Sequence, residues 1–158
     1  MKKVHYKVLL VICSIVAIAA LFLPVIRLQD ALYGVKGTGL SIIDFMGGNL
    51  RTGIITAITF DARMIQLTQV LLIAVFALQF ISGLSAFKGR LMPYAYFFTS
   101  LLSIFTGAYI WYSCFKAANN YMGMLAVTAD VGTYILFLVG ILEFFFLVKW
   151  GFLREKSY

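Results

Sequence analysis

Charge is what this sequence has least of: Asp, Glu, Lys and Arg together make up 12% of its 158 residues, where a soluble domain carries about a quarter. Cysteine and proline occur twice each, and His5 is the one histidine. Two cysteines cannot staple a small secreted scaffold, two prolines exclude a collagen or a Pro-rich disordered chain, and a lone histidine excludes bis-histidine haem ligation and a histidine metal cluster. The sequence holds no Gly-x-x-x-x-Gly-Lys phosphate loop, no Gly-x-Ser-x-Gly elbow and no His-Glu-x-x-His pair. No nucleophile, base and orienting group stand in a recognisable arrangement, so the expectation is a non-enzymatic chain with no cofactor and no metal.

What is present is apolar. The hydrophobic set supplies 63% of the residues, aromatics 16%, and the mean hydropathy is +0.98. A water-soluble fold of this size would expose far more apolar surface than its core could hide, and a lipid-facing surface removes that conflict. The expected fold class is therefore an all-α integral membrane protein, a single domain over 1–158.

A bilayer core about 30 Å thick needs roughly 20 apolar residues in a helix. Four stretches qualify, at about 8–26, 64–87, 91–113 and 131–150, and they predict a four-helix transmembrane bundle. Only Lys88, Gly89 and Arg90 separate the second and third, with Pro93 in the first turn of the third, which describes a tight antiparallel hairpin. Four crossings place both termini and this turn on one side. That side carries Lys2, Lys3, Lys7, Lys88, Arg90, Lys149, Arg154 and Lys156, against Arg27, Lys36, Arg51, Arg63 and Lys116 spread over two longer loops on the other. The positive-inside rule then puts both termini in the cytoplasm, in a cytoplasmic membrane of bacterial type. The net charge of +7 is thereby spent on orientation and not on nucleic acid. Met-Lys-Lys before an apolar run also describes a signal peptide, with Ala17-Ile18-Ala19 as a cleavage site, but the run exceeds a signal core and is read as the first span.

Cys13 falls in the cytoplasmic half of the first span and Cys114 at the outer end of the third. Their difference in depth exceeds the roughly 6 Å that a disulfide spans, so they are expected to be free apolar fillers. No Cys-x-x-Cys exists for thiol exchange.

The long first outer loop, 27–63, is partly apolar. Ser41 and Asp44 have the spacing of a capping box with a shorter acid, and Gly47 is a C-terminal stop, so a short helix is expected between them. Its Ile42, Phe45 and Met46 share a face, which serves either as a lid over the bundle or as a docking surface for another membrane or extracytoplasmic protein. The β-branched run 52–60 reads as extended or as a second interfacial segment. The second outer loop carries Asn119-Asn120 at its tip, and Asp130 stands ready to cap the fourth helix.

Glu143 is the one acid at depth, about 9 Å inside the cytoplasmic boundary of the fourth span. Such a residue faces the bundle, pairs or protonates. Gly132, Leu136, Gly140 and Glu143 share a helical face, with Phe144, Phe145 and Val148 turned to lipid. Gln79, Ser14 and Ser100 fall at a comparable depth, so the four form a candidate intramembrane polar layer. Ser82 with Ala86, and Ser103 with Gly107, are small-xxx-small pairs that, with Gly132 and Gly140, specify helix packing. Tyr94, Tyr96, Tyr109, Trp111, Tyr112, Tyr121, Trp150 and Tyr158 read as interfacial belt residues, and Tyr109, Trp111 and Tyr112 as the one group that could cage a ligand.

Two functional expectations result. The first is an accessory, assembly or interaction subunit of a membrane complex, whose partners are the lipid bilayer and another membrane or extracytoplasmic protein, or a second copy as a homo-oligomer. The alternative is a small oligomeric transport or channel subunit using Glu143 as an intramembrane proton or cation site.

Overall fold

The first apolar run forms helix α1 (Lys3–Leu21). It starts before the predicted span and stops well short of residue 26, because Pro24 offers no N–H and disfavours helical geometry in the residue before it. Phe22 N and Leu23 N turn back onto the carbonyls of Ala19 and Ala20, both at 3.1 Å, and the chain then leaves as an extended strand. In this computed structural model the described residues are 3–30, 38–47, 62–88, 92–120 and 125–155.

The elements after α1 are β1 (Ile26–Asp30), β2 (Thr38–Leu40), α2 (Ile42–Gly47), α3 (Ala62–Lys88), α4 (Met92–Asn120), β3 (Leu125–Ala129) and α5 (Val131–Glu155). The chain is thus mostly helical. Stretches of α3, α4 and α5, namely Arg63–Ala86, Met92–Ala117 and Val131–Lys149, are long and apolar enough to cross a membrane, while the apolar part of α1, His5–Leu21, is shorter.

The four long helices pack in cyclic order, α1 on α3, α3 on α4, α4 on α5 and α5 back on α1. Neighbours run antiparallel. Gln79 and Ser82 of α3 meet Ser103 and Thr99 of α4 in that order, and the Tyr6 ring of α1 reaches Phe146 of α5 at one end while Ala20 backs onto Gly132 at the other. The partition of side chains is inverted relative to a soluble protein. Ile15, Val70, Phe80, Phe98 and Leu138 lie on the outside, whereas Gln79, Thr99, Ser100, Ser103, Thr106 and Glu143 are fully buried. Exposing each large apolar side chain to water would forfeit about 1.5 to 3 kcal/mol of burial, and lipid removes that cost.

A small sheet closes one end of the bundle, and the all-helical expectation did not include it. Its order is β2-β1-β3, with both pairings antiparallel: Ile26 faces Leu40 on one side and Ala129 on the other, and Leu28 faces Thr38 and Val127. Alternation fits the pleat, with Ile26 and Val127 buried in the core and Arg27 and Thr128 outside. Residues 114–130, read from sequence as a loop, instead hold the last turns of α4 and strand β3. Asn119 and Asn120, expected at the tip of a turn, are the last residues of α4, while the turn of α3 into α4 and the extended run expected at 52–60 fall outside the described residues.

Two sequence signals are realised at this end. Ser41 donates its backbone N–H (2.7 Å) and its hydroxyl (2.9 Å) to Asp44 Oδ2, and α2 ends at Gly47. Asp130 accepts from Val131 N at 2.8 Å, and its carbonyl receives Thr133 N at 2.9 Å, so it caps α5 as expected. Its other carboxylate oxygen receives Arg27 Nε at 2.8 Å.

Candidate functional site

The helices bring one polar cluster together inside the bundle. Glu143 projects from α5 on the face it shares with Gly132, Leu136 and Gly140, all four buried. Gly140 is what allows the approach: a Cβ there would stand 2.8 Å from Ile104 Cγ1 and 3.0 Å from the Ser100 carbonyl oxygen, so α4 lies directly against it. From α3, Gln79 reaches across. Its Nε2 donates to Glu143 Oε2 at 3.2 Å and to Ser103 Oγ of α4 at 3.2 Å. One amide therefore joins three helices. Gln79 Oε1 and Glu143 Oε1 have no hydrogen-bond partner among the described residues.

The four sequence candidates are all buried, but they do not form a single group. Gln79 bonds Glu143, whereas Ser14 of α1 donates to Tyr96 Oη of α4 at 3.1 Å and Ser100 donates to the Phe97 carbonyl of its own helix at 2.9 Å. Ser14 and Tyr96 form a second buried pair, between α1 and α4. Tyr96 is thus a core residue with no exposed surface and not a belt residue.

Sequence reasoning missed how much of α4 is polar on its inner side. Tyr96, Thr99, Ser100, Ser103, Thr106 and Ser113 are all fully buried. Thr99 meets Ser82 at 2.6 Å, while Thr106 Oγ1 and Ser113 Oγ have no partner among the described residues. The signal was legible: hydroxyl residues recur at spacings of three and four, the helical period.

The packing candidates fall at helix contacts. Gly107 lies against Phe137, with a Cβ 3.0 Å from that side chain; Gly132 lies against Ala20 O and Pro24 O, at 2.7 and 2.9 Å from a Cβ. Ser82 holds Thr99, and Ala86 packs beside Met92 and Tyr96. Of the docking candidates, Ile42 and Phe45 are 3% and 4% exposed and belong to the chain's own core, with α2 lying on α3, while Ile43 is 56% exposed. In the chain by itself α2 thus turns Ile42 and Phe45 inward and Ile43 outward. The Met46 side chain lies outside the described residues. Cys13 and Cys114 are free and buried, as expected.

Tyr109, Trp111 and Tyr112 do not converge on a cage: Tyr109 stacks on Phe105, Trp111 stacks on Phe115, and Trp111 and Tyr112 are exposed. Trp111 lines a different feature, an apolar groove of about 290 Å³ on the outer seam of α4 and α5. Gly107 and Ala108 supply its small residues, and Thr133, Tyr134 and Phe137 complete it. The Thr133 hydroxyl is already committed to the Val25 carbonyl at 2.6 Å. No group of three or more His, Cys, Asp or Glu that could hold a metal occurs among the described residues.

Compared with known proteins, the chain matches no family model, no curated protein and no solved structure.

Proposed function

We propose that this chain is a four-span protein of a bacterial-type cytoplasmic membrane, with both termini in the cytoplasm, that serves as a non-enzymatic accessory or assembly subunit of a membrane complex. The observation that carries the reading is the groove on the α4–α5 seam. It is apolar, it includes Gly107 and Ala108, and Ala108, Trp111, Tyr134 and Phe137 of its lining are exposed on stretches apolar enough to cross a membrane. Gly107 is taken up by the contact with Phe137, but Ala108 is exposed, and a small residue on an outer seam lets another helix backbone approach closely, which is how membrane helices associate without a hydrophobic driving force. The docking role therefore moves from the outer loop, whose Ile42 and Phe45 cover the chain's own core, to the helix surface.

The test is purification in a gentle detergent with identification of the subunits that accompany the chain, repeated with Ala108→Phe. Ala108 is exposed, so the larger side chain fills the groove without disturbing the core. Loss of the accompanying subunit with normal insertion supports the reading; its retention removes the groove as the contact.

The polar cluster favours a second reading, a small oligomeric transport or channel subunit with Glu143 as its proton or cation site, because buried ionisable residues in membrane helices mark such pathways by default. Glu143→Gln separates the two: it abolishes flux in the transport reading and leaves subunit association unchanged in the first.

A further inference from the structure

Hydrogen-bond accounting at the cluster leaves a surplus of acceptors. The amide nitrogen of Gln79 has two hydrogens, and both are committed, to Ser103 Oγ and to Glu143 Oε2. Gln79 Oε1 and Glu143 Oε1 remain, both unpartnered, on side chains with no exposed surface. Two buried acceptors on groups already joined through their other atoms cannot satisfy one another, and each unsatisfied group carries its desolvation penalty. Among the described residues no donor stands within hydrogen-bond distance of either oxygen; the titratable groups nearest Glu143 are Cys13 from α1 and Tyr96 from α4, whose hydroxyl oxygen accepts from Ser14.

We propose that Glu143 is a proton-binding site, holding a proton on Oε1 that it donates to Gln79 Oε1, so that acid and amide close a doubly hydrogen-bonded clasp between α5 and α3. The shapes match. Both groups are planar, the amide N–H meets one carboxyl oxygen, and the carboxyl O–H meets the amide oxygen. The proton comes from water as the chain folds, forming an O–H bond and cancelling the carboxylate charge. The second amide hydrogen stays on Ser103, so the clasp also holds α4. This inference is independent of the partner reading, and it makes the resting state of the transport reading a protonated one.

Infrared spectroscopy of the purified full chain in phosphatidylcholine vesicles at neutral pH tests it. The expected result is a carbonyl band of a protonated carboxylic acid that shifts in D₂O and is lost in Glu143→Gln. A band from any of the other five acids of the six in the chain would survive in Glu143→Gln. A neutral-pH spectrum with carboxylate bands alone overturns the proposal, as does an acid band that persists in Glu143→Gln. If Glu143→Gln does not fold, the wild-type spectrum still decides, and the exchanged pair Glu143→Gln with Gln79→Glu supplies a second check, since it should restore the acid band and the thermal stability of the wild type.

Discussion

Arg27 Nε donates to Asp130 Oδ2 at 2.8 Å across 103 residues of chain, tying the central strand of the sheet to the first turn of α5. Asp130 is nearly buried and Arg27 half exposed, so the ion pair itself is screened and contributes about 0 to 1 kcal/mol. The cap that the same carboxylate places on Val131 N is worth about 1 kcal/mol more. Asp130→Asn should therefore lose little in a detergent unfolding titration, and Asp130→Ala clearly more. Equal losses would mean that the charge, and not the cap, fixes the helix start.

Gly132 and Gly140 should not accept a methyl group. At Gly132 the added Cβ meets two carbonyl oxygens, of Ala20 and Pro24, which are backbone and cannot swing aside. Gly132→Ala should cost on the order of 1–3 kcal/mol, the usual penalty of overpacking. Gly83, whose nearest neighbour is Ser14 Cβ at 3.9 Å, is the internal control and should tolerate alanine. Comparable unfolding of both variants would contradict the close approach of α1 and α5.

The two faces of α2 make a contrasting pair of expectations on one short helix. Phe45→Ala removes a buried ring from the core and should cost about 3–5 kcal/mol, whereas Ile43→Ala, on the exposed side, should stay within about 0.5 kcal/mol. Stability is read by thermal unfolding of the purified chain. A stable Phe45→Ala variant that loses an accompanying subunit would return the docking role to the loop.

Orientation is testable with single cysteines because Cys13 and Cys114 are buried. In intact cells an impermeant thiol reagent should label Arg27→Cys and Lys116→Cys, both exposed at the sheet end, and should spare His5→Cys and Lys149→Cys at the other. The reverse pattern inverts the topology.

The helices were legible because each is written in local terms. Apolar runs of the right length mark α3, α4 and α5, the spacing of Gly132, Gly140 and Glu143 marks an inner face, and Ser41, Asp44 and Asp130 mark helix starts. Their ends were less so. The run to residue 26 looks uniformly apolar, and only Pro24 hints that α1 has already stopped at Leu21. The inner face of α4 is only half legible: Ser100 and Ser103 stand out and Tyr96 reads as a belt residue, whereas Thr106 and Ser113 carry no signal of their own, because a hydroxyl residue in a membrane helix bonds its own backbone as readily as a neighbour.

The sequence by itself determined that the chain avoids water and that Glu143 turns inward, since both depend on hydropathy and helical period within one segment. Only the tertiary structure decided that β1 pairs with β3 across the length of the chain, that Phe45 covers the core, and that Gln79 meets Glu143 and not Ser14 or Ser100. Strand pairing and side-chain partnership depend on how each helix is rotated and how far it is shifted along its neighbour. Those two quantities are set by contacts such as Gly140 on Ser100 and Gly132 on Ala20, between residues that no local pattern connects.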